Sequence, residues 1–177
     1  MKNLSFFILI LMLAFSACRN KTPEEYYNKG NEEAKQGNYE EALENFNKAI
    51  ELKPEYTDAY INRAYYAKEN LNDYKGAIED YIIAINLNTD DNDAHAYSNM
   101  AFAKMKMKKY KEALDDIMFS LTLDSLNSYA YRNKALIFIA LNNKHVACVD
   151  LQKAIELGYT EKYGNDVQEL IDKNCKE

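Results

Sequence analysis

Apolar and polar residues follow one another along this chain in a pattern that recurs at nearly constant spacing. The clearest copy is Pro23–Tyr56, in which Gly37 and Asn38 join two short amphipathic segments and Pro54 follows the second. Within each segment the small and aromatic residues return every three or four positions, which is the period of one helical face. The pattern therefore predicts two helices joined by a turn.

Three further copies of the pattern follow the first one. The predicted units span residues 23–56, 57–91, 94–127 and 128–161. The second unit has one extra residue, which we expect in the turn around Leu71–Asp73, where a longer loop costs little. One unit cannot bury its own apolar side, whereas stacked units can, so the pattern predicts an all-α solenoid.

The first unit resembles the signature of the tetratricopeptide repeat (TPR). That family has a 34-residue unit with a large residue at position 4, small residues at 8, 20 and 27, an aromatic residue or leucine at 24 and proline at 32. The matching residues are Tyr26, Gly30, Ala42, Phe46, Ala49 and Pro54. The resemblance covers four units and about 140 of the 177 residues. It implies a right-handed superhelical solenoid of helix–turn–helix units rather than another kind of helical bundle.

The later units carry equivalent residues on both of their helices. These residues are Tyr60, Ala64, Ala77, Tyr81 and Ala84 in the second unit, Tyr97, Met100, Ala101, Tyr110, Ala113, Ile117 and Ser120 in the third, and Tyr131, Ala135, Phe138, Ala147, Leu151 and Ala154 in the fourth. Gly158 is expected to close the last of these helices. A ninth helix is predicted over about Glu161–Asn174, and segment 162–177 would cap the open end of the solenoid.

The start of the chain has the features of a targeting segment. Lys2 supplies a positive charge, and Phe6–Phe15 is an unbroken apolar run of ten residues, which is too short to span a bilayer as a helix. The small residues Ser16 and Ala17 follow, as a signal peptidase requires. We therefore predict that residues 1–17 are a signal peptide.

The residues around Cys18 resemble the cleavage site of bacterial lipoproteins. Cleavage before Cys18 would leave it as the first residue, and its thiol would carry the lipid, with residues 18–22 as a polar tether. Phe15 stands where the family usually has leucine. Arg19 occupies the position where aspartate would retain the protein at the inner membrane, so the resemblance implies the outer membrane, facing the periplasm. The alternative is an ordinary secretory signal with an incidental cysteine.

Two further cysteines, Cys148 and Cys175, are candidates for a disulfide. Cys148 lies on the second helix of the fourth unit, and Cys175 ends the predicted cap that should pack on that helix. The cell envelope permits disulfides, and a bridge here would contribute roughly 3 kcal/mol by loop-entropy arguments. We predict this bridge, with two unlinked thiols as the alternative.

The charge of the chain argues against nucleic acid as a ligand. The net charge is −6, and the 22 basic residues are interspersed with acidic ones rather than grouped as phosphate binding requires. The two histidines, His95 and His145, lie far apart in the sequence, and no metal-ligand spacing or glycine-rich phosphate loop occurs. We expect neither catalysis nor a metal or other cofactor.

The resemblance also implies where a partner would bind. In this family the first helices of the units line the concave side, where positions 2, 5, 9, 12 and 13 face the groove. The predicted partner-binding residues are Tyr27, Asn31, Tyr65, Phe102, Met105, Arg132 and Leu136, and Lys68 is assigned to position 12 of the second unit. The apolar column formed by Tyr65, Phe102 and Leu136 is either an exposed binding patch or packing between first helices and under the cap.

These observations predict a non-catalytic protein–protein interaction module that is lipid-anchored in the bacterial cell envelope and binds a protein or peptide in its concave groove. The alternative is a fixed structural subunit of an outer-membrane assembly or secretion complex, which would use its convex face. An enzyme is the least favoured class, because no cluster of histidine, cysteine or serine residues is present to carry chemistry.

Overall fold

The computed structural model describes residues 21–88 and 93–175, and all regular elements in this part of the chain are helical. The helices are α1 Pro23–Lys35, α2 Tyr39–Leu52, α3 Thr57–Asn62, α4 Tyr74–Leu87, α5 Ala94–Lys106, α6 Tyr110–Leu123, α7 Ser128–Ala140, α8 Lys144–Glu156, α9 Tyr159–Tyr163 and α10 Asp166–Asn174. A π-helical segment, Arg63–Lys68, continues α3. The first eight helices form four helix–turn–helix units, so the predicted all-α TPR solenoid is confirmed.

Side chains before several helices satisfy the free amides of the first turn. Thr22 accepts a hydrogen bond from the Glu25 amide at 3.2 Å, and the Glu25 carboxylate accepts one from the Thr22 amide at 2.9 Å. This reciprocal arrangement is a capping box. Asp73, Asp93 and Asn127 cap α4, α5 and α7 in the simpler way, with one side-chain oxygen. The sequence thus specifies where these helices begin.

The two helices of each unit are joined by a turn that contains one residue in the left-handed conformation. These residues are Gly37, Asn72, Lys108 and Asn142, with φ of 84°, 62°, 62° and 59°. Each lies two positions before the second helix begins. The amide of the residue that follows each of them donates a hydrogen bond to the carbonyl five positions before that residue. This bond closes the end of the first helix. The turn geometry is therefore the same in all four units.

The core lies where the repeat signature predicts it. The small and large signature residues of the second helices are 0% or 1% exposed in every unit; they are Ala42, Phe46 and Ala49, Ala77, Tyr81 and Ala84, Ala113, Ile117 and Ser120, and Ala147, Leu151 and Ala154. Gly30 on α1 is also buried. A Cβ atom at this position would lie 2.8 Å from the ring of Phe46, so the close contact of the two helices requires glycine here. Alternating small and large residues allow the helices to interlock.

The extra residue of the second unit lies within a helix, so its predicted place in the turn was wrong. The left-handed residue follows the start of the first helix by fourteen positions in the other units and by fifteen in this one. Because the turn itself is unchanged, the π-helical segment absorbs the additional residue, as such bulges do. Lys68 consequently pairs with Asp80 at 3.0 Å. The assignment of Lys68 to groove position 12 was therefore wrong, and Glu69 occupies that place.

The C-terminal part of the described chain packs against the fourth unit. Gly158 closes α8 as predicted, with φ of 78° and its amide donating to the Ile155 carbonyl. The single helix predicted over Glu161–Asn174 was wrong, because Gly164, with φ of 99°, separates α9 from α10. Val167 of α10 is fully buried in the core of the last unit. The predicted disulfide between Cys148 and Cys175 is present and ties α10 to α8.

Candidate functional site

A cleft of about 570 Å³ opens on the side of the solenoid that the first helices form. Its walls come from all four units. The residues that line it are Ala34, Tyr39, Tyr65, Tyr66, Glu69, Asn70, Asn72, Tyr74, Phe102, Lys106, Tyr129 and Arg132. Six of these residues are aromatic and five are polar or charged, and a concave site of this volume that combines the two is typical of ligand and peptide recognition.

Aromatic side chains form the walls of the cleft. Tyr65 and Tyr66 of the π-helical segment meet edge to face, with ring centroids 4.9 Å apart. The side chains of Tyr65 and Tyr129 interact with each other, and burial raises the pKa of both hydroxyls above the usual tyrosine range. These hydroxyls therefore stay neutral at physiological pH and can donate and accept hydrogen bonds.

Glu69 is the acidic residue of the cleft, and the core holds its carboxyl group in place. The hydroxyl of Tyr81 donates a hydrogen bond of 2.7 Å to Oε1 of Glu69. Burial raises the pKa of Glu69 to about 8, although this hydrogen bond and the nearby charges of Lys106 and Arg132 lower it. At neutral pH the side chain is consequently protonated for much of the time.

Arg132 is bound to the C-terminal helix. Its Nε and Nη2 atoms lie 3.0 Å and 2.8 Å from Oδ2 of Asp166, while Nη1 donates to the Asn133 side chain. The guanidinium also lies 5.8 Å from the ring centroid of Phe102 and 5.9 Å from that of Tyr129. Arg132 lines the cleft, but its charge is already compensated by Asp166, which makes it a weak anchor for a partner carboxylate.

The structure brings three of the predicted partner-binding residues together, because Tyr65, Phe102 and Arg132 all line the cleft. Two others are engaged at the junction between the first two units. There the Asn62 side chain donates to the Tyr27 hydroxyl and to Oδ1 of Asn31, each at 2.8 Å. Tyr27 and Asn31 thus connect α1 to α3.

The last two predicted residues lie outside the cleft. Met105 is partly buried against the core cluster around Ala101 and Ile117. Leu136 lines a smaller depression beside Leu170 of α10. The apolar column of Tyr65, Phe102 and Leu136 is therefore divided between two environments, with its first two members in the cleft and its third under the C-terminal helix.

Nine of the twelve residues that line the cleft were not among the predicted ones, and Tyr66, Glu69, Lys106 and Tyr129 are four of these nine. Tyr129 and Lys106 occupy positions 2 and 13 of their units, so mapping those two groove positions would have found them. Tyr66 lies within the π-helical segment, and Glu69 directly follows it. The position of the extra residue inside the helix, which the sequence did not reveal, places Glu69 in the groove.

The predicted signal peptide 1–17 and the predicted lipid site Cys18 lie outside the described residues. Within 21–88 and 93–175, no helix is both long and apolar enough to cross a membrane. The same residues contain no group of three or more histidine, cysteine, aspartate or glutamate side chains that could hold a metal ion.

Comparison with known proteins agrees with the repeat architecture. Residues 23–56 match the profile of the tetratricopeptide repeat. The solved structure described as the first TPR of Spaghetti (RPAP3) bound to an HSP90 peptide is 30% identical to this chain, with a TM-score of 0.62. The match covers 68% of this chain and 94% of that one. The chain belongs to the TPR family.

Other TPR structures resemble the chain in fold. A thermophilic TPR protein of Thermus thermophilus superposes with a TM-score of 0.74 at 16% identity, covering 88% of this chain and 82% of that one. In sequence, an uncharacterised protein of Methanocaldococcus jannaschii is 57% identical over 44 residues, which is 25% of this chain. This TPR chain spans between 18% and 51% of the length of the curated relatives it matches.

Proposed function

We propose that this TPR solenoid binds a segment of a partner protein in the cleft formed by its first helices. The observation that carries the proposal is the grouping of Tyr65, Tyr66, Phe102 and Tyr129 around one open cleft. Aromatic rings that are partly buried yet accessible offer a large apolar contact area at low entropic cost. The related TPR structure described with a bound HSP90 peptide supports a peptide segment as the occupant.

The cleft can be tested with charge-introducing substitutions and a matched control. Tyr65→Glu/Phe102→Glu places two carboxylates in the cleft. Ile82→Glu/Met118→Glu does the same on the second helices, where these side chains are 46% and 50% exposed. Intact cells would be cross-linked, extracted in mild detergent and searched for co-purifying proteins. We expect the partner to be lost from the first variant alone, provided that both variants keep the helical circular dichroism of the wild type.

A second candidate function is that of a fixed subunit of a larger assembly. Exposed apolar pairs on the second helices favour it, namely Ile82 and Ile83 on α4 and Met118 and Phe119 on α6. In that case the same experiment has the opposite result. The partner would be lost from Ile82→Glu/Met118→Glu and kept by Tyr65→Glu/Phe102→Glu, and the wild type would run as a large stable complex in mild detergent.

We also propose that Cys18 carries a lipid that anchors the protein in the outer membrane of the bacterial envelope, facing the periplasm. The order of a basic residue, an apolar run and two small residues before Cys18 supports this. Growth with an alkyne-labelled fatty acid would test it. We expect label on the wild type and on Cys148→Ser/Cys175→Ser, but none on Cys18→Ser, which should also leave the membrane fraction. Label on Cys18→Ser would disprove the anchor.

A further inference from the structure

Glu69 lies in the cleft without a compensating positive charge. One oxygen of its carboxyl group accepts the Tyr81 hydrogen bond at 2.7 Å. Among the residues that the structure describes, no lysine or arginine nitrogen lies within 4 Å of this carboxyl group. Placing a charged carboxylate in a partly desolvated site is costly unless an opposite charge is added.

The groups that face Glu69 do not supply that charge. Tyr65 of its own segment, Tyr81 of α4 and Tyr129 of α7 are neutral hydroxyls whose pKa is raised above the usual range. Of the two cations that act on Glu69, Arg132 is bound to Asp166. Lys106 is exposed and lies 5.1 Å from the centre of the Phe102 ring. Their attraction is smaller than the effect of burial.

The aromatic rings beside Glu69 can hold a cation as well as an apolar side chain. Ring faces attract ammonium and guanidinium groups within about 6 Å, most strongly where water is excluded. Lys106 and Arg132 already use the Phe102 ring in this way. Because Lys106 is exposed, a ligand can displace its ammonium group into solvent. The cleft therefore offers apolar walls for a side-chain stem and a carboxyl group for its charged end.

We propose that the cleft recognises a lysine or arginine side chain of the partner segment, with its stem between Tyr65, Phe102 and Tyr129 and its charge on Glu69. This inference rests on the proposed binding of a partner segment in the cleft. The net charge of −6 adds a general attraction for a basic partner. An acidic group would meet Glu69 and find Arg132 already neutralised, which leaves the exposed Lys106 as its counter-charge among the lining residues.

The inference has a pH dependence with a definite sign. Since the pKa of Glu69 is about 8 in the free protein, a basic side chain binds the minor, ionised form at pH 7 and the major form at pH 9. The lysine ammonium group stays protonated over this range. Affinity should therefore rise about tenfold between these two pH values, in proportion to the ionised fraction.

The test compares two probes that share a four-carbon side-chain stem on the purified full chain. N-acetyl-lysine methylamide carries the ammonium group, and N-acetyl-norleucine methylamide lacks it. Dissociation constants would be measured by NMR from the shifts of isotope-labelled tyrosine rings. We expect the lysine probe to bind about tenfold more tightly at pH 9 than at pH 7 and more tightly than norleucine at pH 9. Norleucine binding should be independent of pH.

Two variants assign the effect to Glu69. Glu69→Gln keeps the shape of the side chain and an acceptor for Tyr81. It should abolish the preference for the lysine probe without weakening the binding of the norleucine probe. Glu79→Gln, on the exposed face of α4, should change neither. Equal binding of the two probes at pH 9, or a lysine preference that survives Glu69→Gln, would overturn the inference. In that event, loss of the cross-linked partner from Tyr65→Glu/Phe102→Glu would still support the proposed function.

Discussion

The hydroxyl of Tyr81 donates a hydrogen bond of 2.7 Å to Oε1 of Glu69, and this bond connects the core of the second unit to the cleft. The Tyr81 side chain is 0% exposed and packs in the cluster that joins the second and third units. A displacement of Glu69 would leave a buried hydroxyl without this acceptor, which is costly. The position of the cleft carboxyl group is therefore set by core packing.

Replacing Tyr81 by phenylalanine should raise the pKa of Glu69 above its value of about 8. The hydrogen bond from Tyr81 stabilises the ionised carboxylate, so its loss favours the protonated form. We also expect the free energy of unfolding to fall by about 1 to 2 kcal/mol, because Oε1 loses its donor. Titration of the Glu69 side-chain carbon signal by NMR measures the pKa directly.

Tyr74→Phe is the matched control for this change. The Tyr74 hydroxyl also donates to a side chain, Asn72, at 2.9 Å, but this bond lies at the surface. The control should leave both the pKa of Glu69 and the stability nearly unchanged. An unchanged Glu69 titration in Tyr81→Phe would mean that the hydrogen bond does not influence the cleft.

The Glu69→Gln variant should be more stable than the wild type at high pH. The folded-state pKa of Glu69, about 8, lies above the ordinary value of 4.5, so the folded state binds the proton more tightly than the unfolded state. Stability from this group is therefore fully present below the unfolded pKa and is lost as the pH rises through about 8. Between about pH 5 and about pH 9 we expect the variant to gain roughly 4 kcal/mol relative to the wild type, at about 1.4 kcal/mol per pH unit between the two pKa values.

Urea unfolding at several pH values between about 5 and 9 measures this difference. Glu79→Gln serves as the control, since Glu79 is exposed and its contact with Lys75 is long, at 3.9 Å. A constant difference between Glu69→Gln and the wild type across this range would contradict the raised pKa.

Gly30→Ala should destabilise the first unit. The added Cβ atom would lie 2.8 Å from the ring of Phe46, which is itself fully buried and cannot move aside freely. Overpacking of this kind costs about 1 to 3 kcal/mol. Thermal unfolding measures the loss, and the exposed residue Asn28 on the same helix provides the control Asn28→Ala.

A second substitution can show that the clash with Phe46 is the cause. In Gly30→Ala/Phe46→Leu the smaller side chain makes room for the methyl group. The double variant should therefore lose less than the sum of the two single changes. Strict additivity would indicate that helix α1 responds to something other than this contact.

Removing the disulfide should loosen the C-terminal helix before the rest of the protein. The Cys148–Cys175 bridge links residues 27 positions apart and holds α10 on α8. We expect Cys148→Ser/Cys175→Ser to lower the free energy of unfolding by roughly 3 kcal/mol. The rate of amide hydrogen exchange should increase most in α10. An equal increase in all helices would contradict this assignment.

Loosening of α10 would also affect Arg132, because its partner Asp166 lies at the start of α10. If α10 detaches, the guanidinium loses its counter-charge and becomes available in the cleft. Reduction of the wild-type disulfide with a thiol should have the same effect on hydrogen exchange as the double substitution.

The sequence predicted the buried faces well because each depends only on the helical period. Ala42 and Phe46 are four positions apart, and this spacing alone places both on one side of α2. The pairing of Cys148 with Cys175 was predictable for a related reason, since stacking makes the last unit and the cap neighbours.

Features that depend on exact placement were not predictable in this way. A count of residues reveals that the second unit is one residue longer, but it does not reveal whether a turn or a helix accommodates the addition. Because the extra residue was placed in the turn, groove position 12 was assigned to Lys68 instead of Glu69. The Arg132–Asp166 pair joins residues 34 positions apart, beyond the reach of any local pattern.

The π-helical segment Arg63–Lys68 has a consequence for how such a protein can diversify. The π-helical turn takes up the added residue, so the residues after it keep their faces and the following turn is unchanged. Only the side chains within and directly after the segment change places, and the neighbouring units keep their own positions. A single inserted codon can thus replace the side chain that one repeat displays to a partner, while the remaining repeats continue to display theirs.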